Sequence, residues 1–496
     1  MLYLSLFISC SDKQTDSAEE PAYTYPSPME MLPLRGSEGP QVAFDEEDLW
    51  QNCAPLYGGE DDGLHHNLII PYRGHLVMPW VPEWGRGGLS FFDMSDPCNP
   101  QKEGEGFHER MRESHAIGFM HLPDGDPHAG EYAVTTGVLG IQFWDIADLS
   151  NIEMINYMEI EGVFYPDSYT RVVLSLFWQY PYVYIAAADN GIYIVDATNP
   201  RETELVNQYV FDPPLRTAGV FALGNTLFVS SAEGMEAALL DISNPTEPQA
   251  LGGGRFNSLD ADGEPRESYH ANLAGSYALF AQKEGGGGVM IHDISDPNQP
   301  THVSSVHSPG GNSGYVFYDE GYLFLGDSHW AKVYDARDIH NIQEIGTGYL
   351  AGDLDTITPY GNVAILSVDD DAEDEIASVV MPWHTDIDLT GPLALFINPP
   401  DGSENVPTSS RIGIGFNEMV EPTSIFPGSV QLIAEDGTHV EGWAGAQENT
   451  AFFTPKQPLQ PGTSYTFQVL AGGARDVNNN SIEETVTSTF RTAGTP

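Results

Sequence analysis

IYIVDATNPRET, residues 192–203, decides how the chain folds. Ile192, Tyr193, Ile194 and Val195 are β-branched or aromatic and suit a strand. Asp196 follows, and its carboxylate can accept a backbone N–H two or three residues on, closing a tight turn. Pro200 then stops the ladder, because it has no N–H to give and its φ is fixed. The segment therefore reads as a strand, a corner and a return.

Five further copies surround it. They are LSFFDMSDPCNP (89–100), IQFWDIADLSNI (141–152), AALLDISNPTEP (237–248), VMIHDISDPNQP (289–300) and AKVYDARDIHNI (331–342). Their acids, Asp93, Asp145, Asp196, Asp241, Asp293 and Asp335, are spaced by 52, 51, 45, 52 and 42 residues. Ahead of the copies lie pairs of strand-like runs about a Gly turn, such as GVFALGNTLFVSS (219–231) and TITPYGNVAILSV (356–368). A period of about 40–50 residues holding four short strands is the signature of a β-propeller. Seven blades are expected, with six as the runner-up. The last unit has no Asp turn, and QVAF (41–44) is expected to supply its outer strand and close the ring. The six Asp residues read as scaffold, with no part in chemistry.

The repeat resembles the LVIVD-repeat family over roughly residues 65–385, most closely in IYIVDATNP and VMIHDISDP. The resemblance implies a surface or periplasmic propeller, here assigned to 41–385, of unassigned activity. Residues 392–494 lack the repeat and alternate strands with turns at the spacing of a β-sandwich. PPDGSENVP, FNEMV, KQPLQPGTSY, DVNNN and the closing FRT resemble a bacterial Ig-like domain, which implies a spacer or adhesion module. The fold class is all-β: a propeller followed by an Ig-like sandwich.

Composition agrees. The 51 Gly and 36 Pro favour short strands and turns. Against 19 basic side chains stand 72 acidic ones, a formal charge of −53. That charge repels phosphate backbones and anionic lipid, so nucleic-acid binding is excluded. Residues 1–10, MLYLSLFISC, are apolar up to Cys10 and resemble the end of a bacterial lipoprotein signal, although Phe7 replaces the usual Leu and no basic segment precedes it. Cys10 is the expected lipidation site, and residues 11–40, rich in Ser, Asp, Glu and Pro, read as a disordered tether. Contact with a membrane would run only through that anchor, on an exported, outer-membrane or cell-surface lipoprotein. Cys53 and Cys98 are left as an even pair in an oxidising compartment, where a disulfide is available to them.

Chemistry is expected where the inner strands begin, because there the units differ. His66, His115, Arg171, Arg216, His270, Asp353 and Asp355 are the candidate ligand-binding residues. His66, His115 and His270, with Asp353 or Asp355, could ligate a transition metal. Arg171 and Arg216 could clamp an anion by forked hydrogen bonds. All seven could instead plug a wet channel mouth and pair with one another. The DVNNN turn at Asp476 opens like a calcium loop but lacks the Gly and Glu of an EF-hand, so it reads as a tight turn. The acidic run Asp369–Glu375 reads as a solvated loop, with Ca²⁺ as the alternative. No cofactor is required by the sequence; Ca²⁺ or a transition metal is the only one it suggests. The expected function is a non-enzymatic surface binding protein of adhesion type, its partner a surface protein or a glycan. A metal-dependent hydrolase or lyase is the alternative.

Overall fold

The Asp turns form as the repeat predicts. In the computed structural model, which describes residues 32, 34–35, 42–60, 62–164, 170–283 and 285–494, all six carboxylates accept the N–H two residues on. The distances are 2.6 Å for Asp93 to Ser95, 3.1 Å for Asp145 to Ala147 and 2.8 Å for Asp196 to Thr198. They are 2.7 Å for Asp241 to Ser243, 2.8 Å for Asp293 to Ser295 and 3.1 Å for Asp335 to Arg337. Three residues after each Asp, a second Asp or Asn repeats the bond, as in Asn199 to Arg201 at 3.1 Å. The corner is thus built from two successive side-chain caps, of which the sequence showed only the first. Cys10 and nearly all of the tether lie outside the described residues.

Each turn joins the third and fourth strands of a four-stranded antiparallel meander. Unit three is representative: Ser175–Gln179, Tyr182–Ala186, Ile192–Asp196 and Glu204–Tyr209 pair in that order. Among the described residues, seven meanders follow along the chain, six with this turn, their first strands beginning at Ile70, Ile117, Ser175, Thr217, Ser268, Ser313 and Asp353. Units one and two share a single pair, Met111 with Gly137. The residue after each repeat Asp is buried (Met94, Ile146, Ala197, Ile242, Ile294, Ala336), so the corner also nails its strand into the core between units.

The seventh unit has three strands of its own, Asp353–Tyr360, Val363–Asp370 and Ser378–Pro382. Residues 50–56 complete it. Trp50, Cys53 and Leu56 donate their N–H groups to Pro382, Val380 and Ser378 at 2.8, 2.8 and 2.9 Å. This corrects the expectation that 41–44 supplies the edge. Phe44 bonds only to Thr385, beyond the strand. The later segment also carries Cys53, which forms a disulfide with Cys98 in the Asp turn of unit one. The disulfide ties this edge segment to unit one, while hydrogen bonds alone hold it to the last strand of unit seven.

The C-terminal sandwich packs Ala394–Asn398, Ile412–Phe416, Thr450–Pro455 and Gly442–Gln447 over Ser403–Val406, Val486–Thr492, Ser464–Val469 and Val430–Ala434. Its core includes Ile412, Ile414, Phe416, Phe453, Phe467 and Phe490. The sandwich sits on the end of the propeller where first strands turn into second strands. Arg411, buried, donates to Gln179 Oε1 and Tyr184 OH at 3.0 Å and to the Ile242 carbonyl at 3.2 Å. Bonds from Asn398 to Leu223, Gly275 to Phe416, Asn449 to Tyr318, Trp443 to Asp126 and Arg73 to Glu421 extend the contact around the ring. Gly413 lies so close to the Leu223–Gly224 backbone that any Cβ there would collide with it.

Removing the Asp196 carboxylate with Asp196→Ala should cost about 1 kcal/mol, the worth of a lost cap, while Asp196→Asn, which keeps an acceptor, should cost less. Replacing both Cys53 and Cys98 by Ala should cost about 2–4 kcal/mol. Urea denaturation of each variant beside wild type measures both.

Candidate functional site

With one end covered by the sandwich, the free end of the channel is where the first strands begin. Short first strands put the residues just before them at the rim, and in an extended backbone successive side chains alternate in direction. His65 and His66 therefore part company. His66, fully buried, is held between Ser378 Oγ at 2.7 Å and Asp62 Oδ1 at 2.9 Å. His65 faces the mouth, where its Nε2 meets Glu113 Oε2 and lies 2.7 Å from Asp369 Oδ1.

This triad is the centre of the site. Glu113 also receives Arg112 Nη2 at 2.5 Å, and His115 Nε2 lies 3.1 Å away. Burial would raise the Glu113 carboxyl, but Arg112 and the two histidines outweigh it and hold it well below the usual range. Burial likewise opposes charge on His65. Hydrogen bonds and attraction from Asp369 and Glu113 outweigh it, so His65 is pushed up to about 10 and is an imidazolium at neutral pH. These residues, with Glu83 and Tyr269, line a cleft of about 350 Å³.

Deeper lies a stack of rings. His270 stacks on Tyr315 with centroids 4.2 Å apart, and His115 bonds Tyr315 OH through Nδ1 at 2.6 Å. Burial, then the neighbouring His115, pushes His270 down to about 3, so it is neutral. Lys283 lies 4.3 Å from the centroid of the Tyr269 ring. Burial raises the Asp355 carboxyl well above its usual range; Lys283 opposes this, and Asp369 and Asp353 add to it. Asp355 Oδ1 and His270 Nε2 are buried with no hydrogen-bond partner, an arrangement that costs stability unless something polar enters.

The predicted residues thus divide. His115, His270, Asp353 and Asp355 share the mouth and its floor. His66 belongs to the seam between units one and seven, and its pairing with Ser378 and Asp62 removes it from any metal set with His115 and His270. Arg171 is exposed, over the Phe164 ring at 5.7 Å, and Arg216 pairs with Glu233 at 3.0 Å, so the two do not form an anion clamp. Both are spent on local partners within an acidic surface. The donors that do converge are His65, Glu113 and Asp369, within 4.8 Å of one another. His65 was visible as half of a His-His pair, but the strand register that chooses between the two is not written in the pair. Glu113 and Lys283 gave no motif signal, and Asp369 was visible only as the start of an acidic run read as a solvated loop.

A larger cavity of about 790 Å³ lies at the opposite end, between units one and two and the sandwich, lined by Leu32, Phe119, Met120, Ile425 and Trp443. Its lining is mostly apolar, with His121, Asp124, Asp126, Glu441 and Lys456 among it. Among the described residues, no helix is long and apolar enough to cross a membrane.

The bacterial Ig-like domain family matches residues 388–492, and the LVIVD repeat matches 181–210 and 271–308. The chain therefore carries LVIVD repeats and a bacterial Ig-like domain on an all-β, propeller-like fold. No curated protein matches it. Solved structures similar to it include the computationally designed Ika8 protein, at 12% identity and TM-score 0.44, covering 67% of this chain and 99% of that one. The WD40 domain from Toxoplasma gondii coronin has 11% identity and TM-score 0.42, over 71% and 87%. A putative 6-phosphogluconolactonase from Bacteroides fragilis has 10% identity and TM-score 0.45, over 60% and 91%.

A histidine whose pKa is raised on folding stabilises fully below its unfolded value, near 6.5, and loses that contribution as pH rises toward the folded value. Wild type should therefore lose stability between about pH 6.5 and 10 that His65→Gln does not lose, by at most on the order of 5 kcal/mol. His270 has the opposite sign: its contribution is complete above about 6.5 and is lost as pH falls toward 3. Thermal midpoints across pH 4–10 for wild type, His65→Gln and His270→Asn check both windows.

Proposed function

We propose that this chain is an exported binding protein, a seven-bladed propeller tethered through lipidated Cys10, whose partner docks at the open channel mouth and is not chemically changed there. The observation that supports this reading is the end-capping. The Ig-like domain occupies one end face of the ring, so only the other offers the channel's polar groups to a partner. A bacterial Ig-like domain suits an extracellular or surface setting, and the −53 charge suits solubility there.

The mouth sets the class of partner. Asp353, Asp355, Asp369 and Glu113 are acceptors, with Lys283 and Arg112 among them. That mixture matches a hydroxyl-rich glycan, whose donors bond carboxylates, or a basic surface of another protein. Labelled full-length protein should bind members of a glycan array or a panel of lysine-rich peptides. Asp369→Asn and Lys283→Ala should weaken that binding by tenfold or more, and Glu202→Gln, on the outer rim, should not. Binding indifferent to the two mouth variants would end this reading.

A metal-dependent hydrolase or lyase is the second reading, favoured by the convergence of His65, Glu113 and Asp369. The first is preferred because the cations already present, protonated His65 and Arg112, satisfy these carboxylates. Stoichiometric zinc or another transition metal in purified wild type, absent from His65→Ala, would reverse the preference.

A further inference from the structure

The carboxylates that the mouth does not use gather at the joint between propeller and Ig-like domain. Asp388 lies in the connection, and Glu418 and Asp476 belong to the Ig-like domain. One carboxylate oxygen of each lies within 4.8 Å of the others. Asp319 and Glu320, at the hairpin between the first two strands of unit six, line one pocket with Asp388, and Glu320 accepts from Thr390 Oγ1 there. Among the described residues, no Lys or Arg forms an ion pair with any of these five acids.

The cluster is held in place by other groups. Asp476 Oδ1 accepts the N–H groups of Asn478 and Asn480 at 2.9 and 2.7 Å. Asp388 accepts Thr390 N–H at 3.0 Å and Asn478 Nδ2 at 3.2 Å. Glu418, only 2% exposed, has no partner for Oε1, and buried Asn478 has none for Oδ1. A buried carboxylate oxygen without a donor, among other carboxylates, is costly unless a cation satisfies it.

We infer that this joint is a Ca²⁺ site, with Asp388, Glu418 and Asp476 as its protein ligands and Asp319 and Glu320 adding charge from the propeller side. Every donor is oxygen, the set that hard cations take, whereas a zinc site would draw on histidine or cysteine. Ca²⁺–oxygen distances of about 2.4 Å place any two ligand oxygens at most about 4.8 Å apart, which this trio already meets. A pocket of about 260 Å³, lined by Asp319, Asp388 and Thr390 among others, reaches the Asp388 side of the cluster. The DVNNN turn therefore contributes a ligand without being an EF-hand. One ion would fasten propeller, connection and Ig-like domain together.

Full-length protein stripped with EDTA should bind one Ca²⁺ by calorimetry, with Kd no weaker than about 10⁻³ M, and its thermal midpoint should rise with Ca²⁺. Glu418→Gln, nearly isosteric, should lower the affinity at least tenfold, yet raise the midpoint of the stripped protein by removing a repelled charge. That opposite pair of effects distinguishes a ligand from a merely structural residue. Asp371→Asn, in the separate acidic loop, should leave affinity unchanged. Absence of Ca²⁺ binding, or binding that Glu418→Gln and Asp388→Asn both leave intact, would overturn the site.

Discussion

The structure rests on a hydrogen bond between an Asp carboxylate and the backbone N–H two residues later. It is worth little once, about 1 kcal/mol. Made six times at the same point, it fixes where each third strand stops and where the fourth returns. The next residue is thereby delivered to the core between units, so strand length, corner and packing are set by one side chain.

Because these corners are identical in kind, they carry no chemistry. Function falls to the ends of the channel, which the units line with different residues. At one end the hairpins meet Arg411, Asn398 and Asn449 and are consumed in holding the Ig-like domain. At the other the rim keeps His65, Glu113 and Asp369 facing solvent, with buried Tyr315, His270 and Asp355 beneath. The two ends of the ring thus differ: one holds the Ig-like domain, and the other is the open end at which recognition is proposed.

The propeller was legible because Asp turns are local: Asp196 and Thr198 are two residues apart. The sandwich was legible for a similar reason, since its turns recur at short intervals. The closing strand was not. Residues 41–44 and 50–56 are both plausible edges, and nothing local in either stretch chooses between them. His65 and His66 are the same case at the site, where one residue of register separates the mouth from the seam. Asp476 was recognised as a turn, but its company, Asp388 and Glu418, lies 88 and 58 residues away in sequence. Local rules cannot see such neighbours.

Arg411 has a consequence for how the molecule comes apart. Its buried guanidinium bonds to Gln179, Tyr184 and Ile242 of the propeller, so pulling the Ig-like domain away would break those bonds and leave hairpin carbonyls around the ring without donors. The two regions match different families, yet Met419, Val477 and Phe452 of the Ig-like domain are buried in clusters with propeller residues. Two recognisable parts therefore share one buried seam, and separating them would expose polar groups on both sides of it.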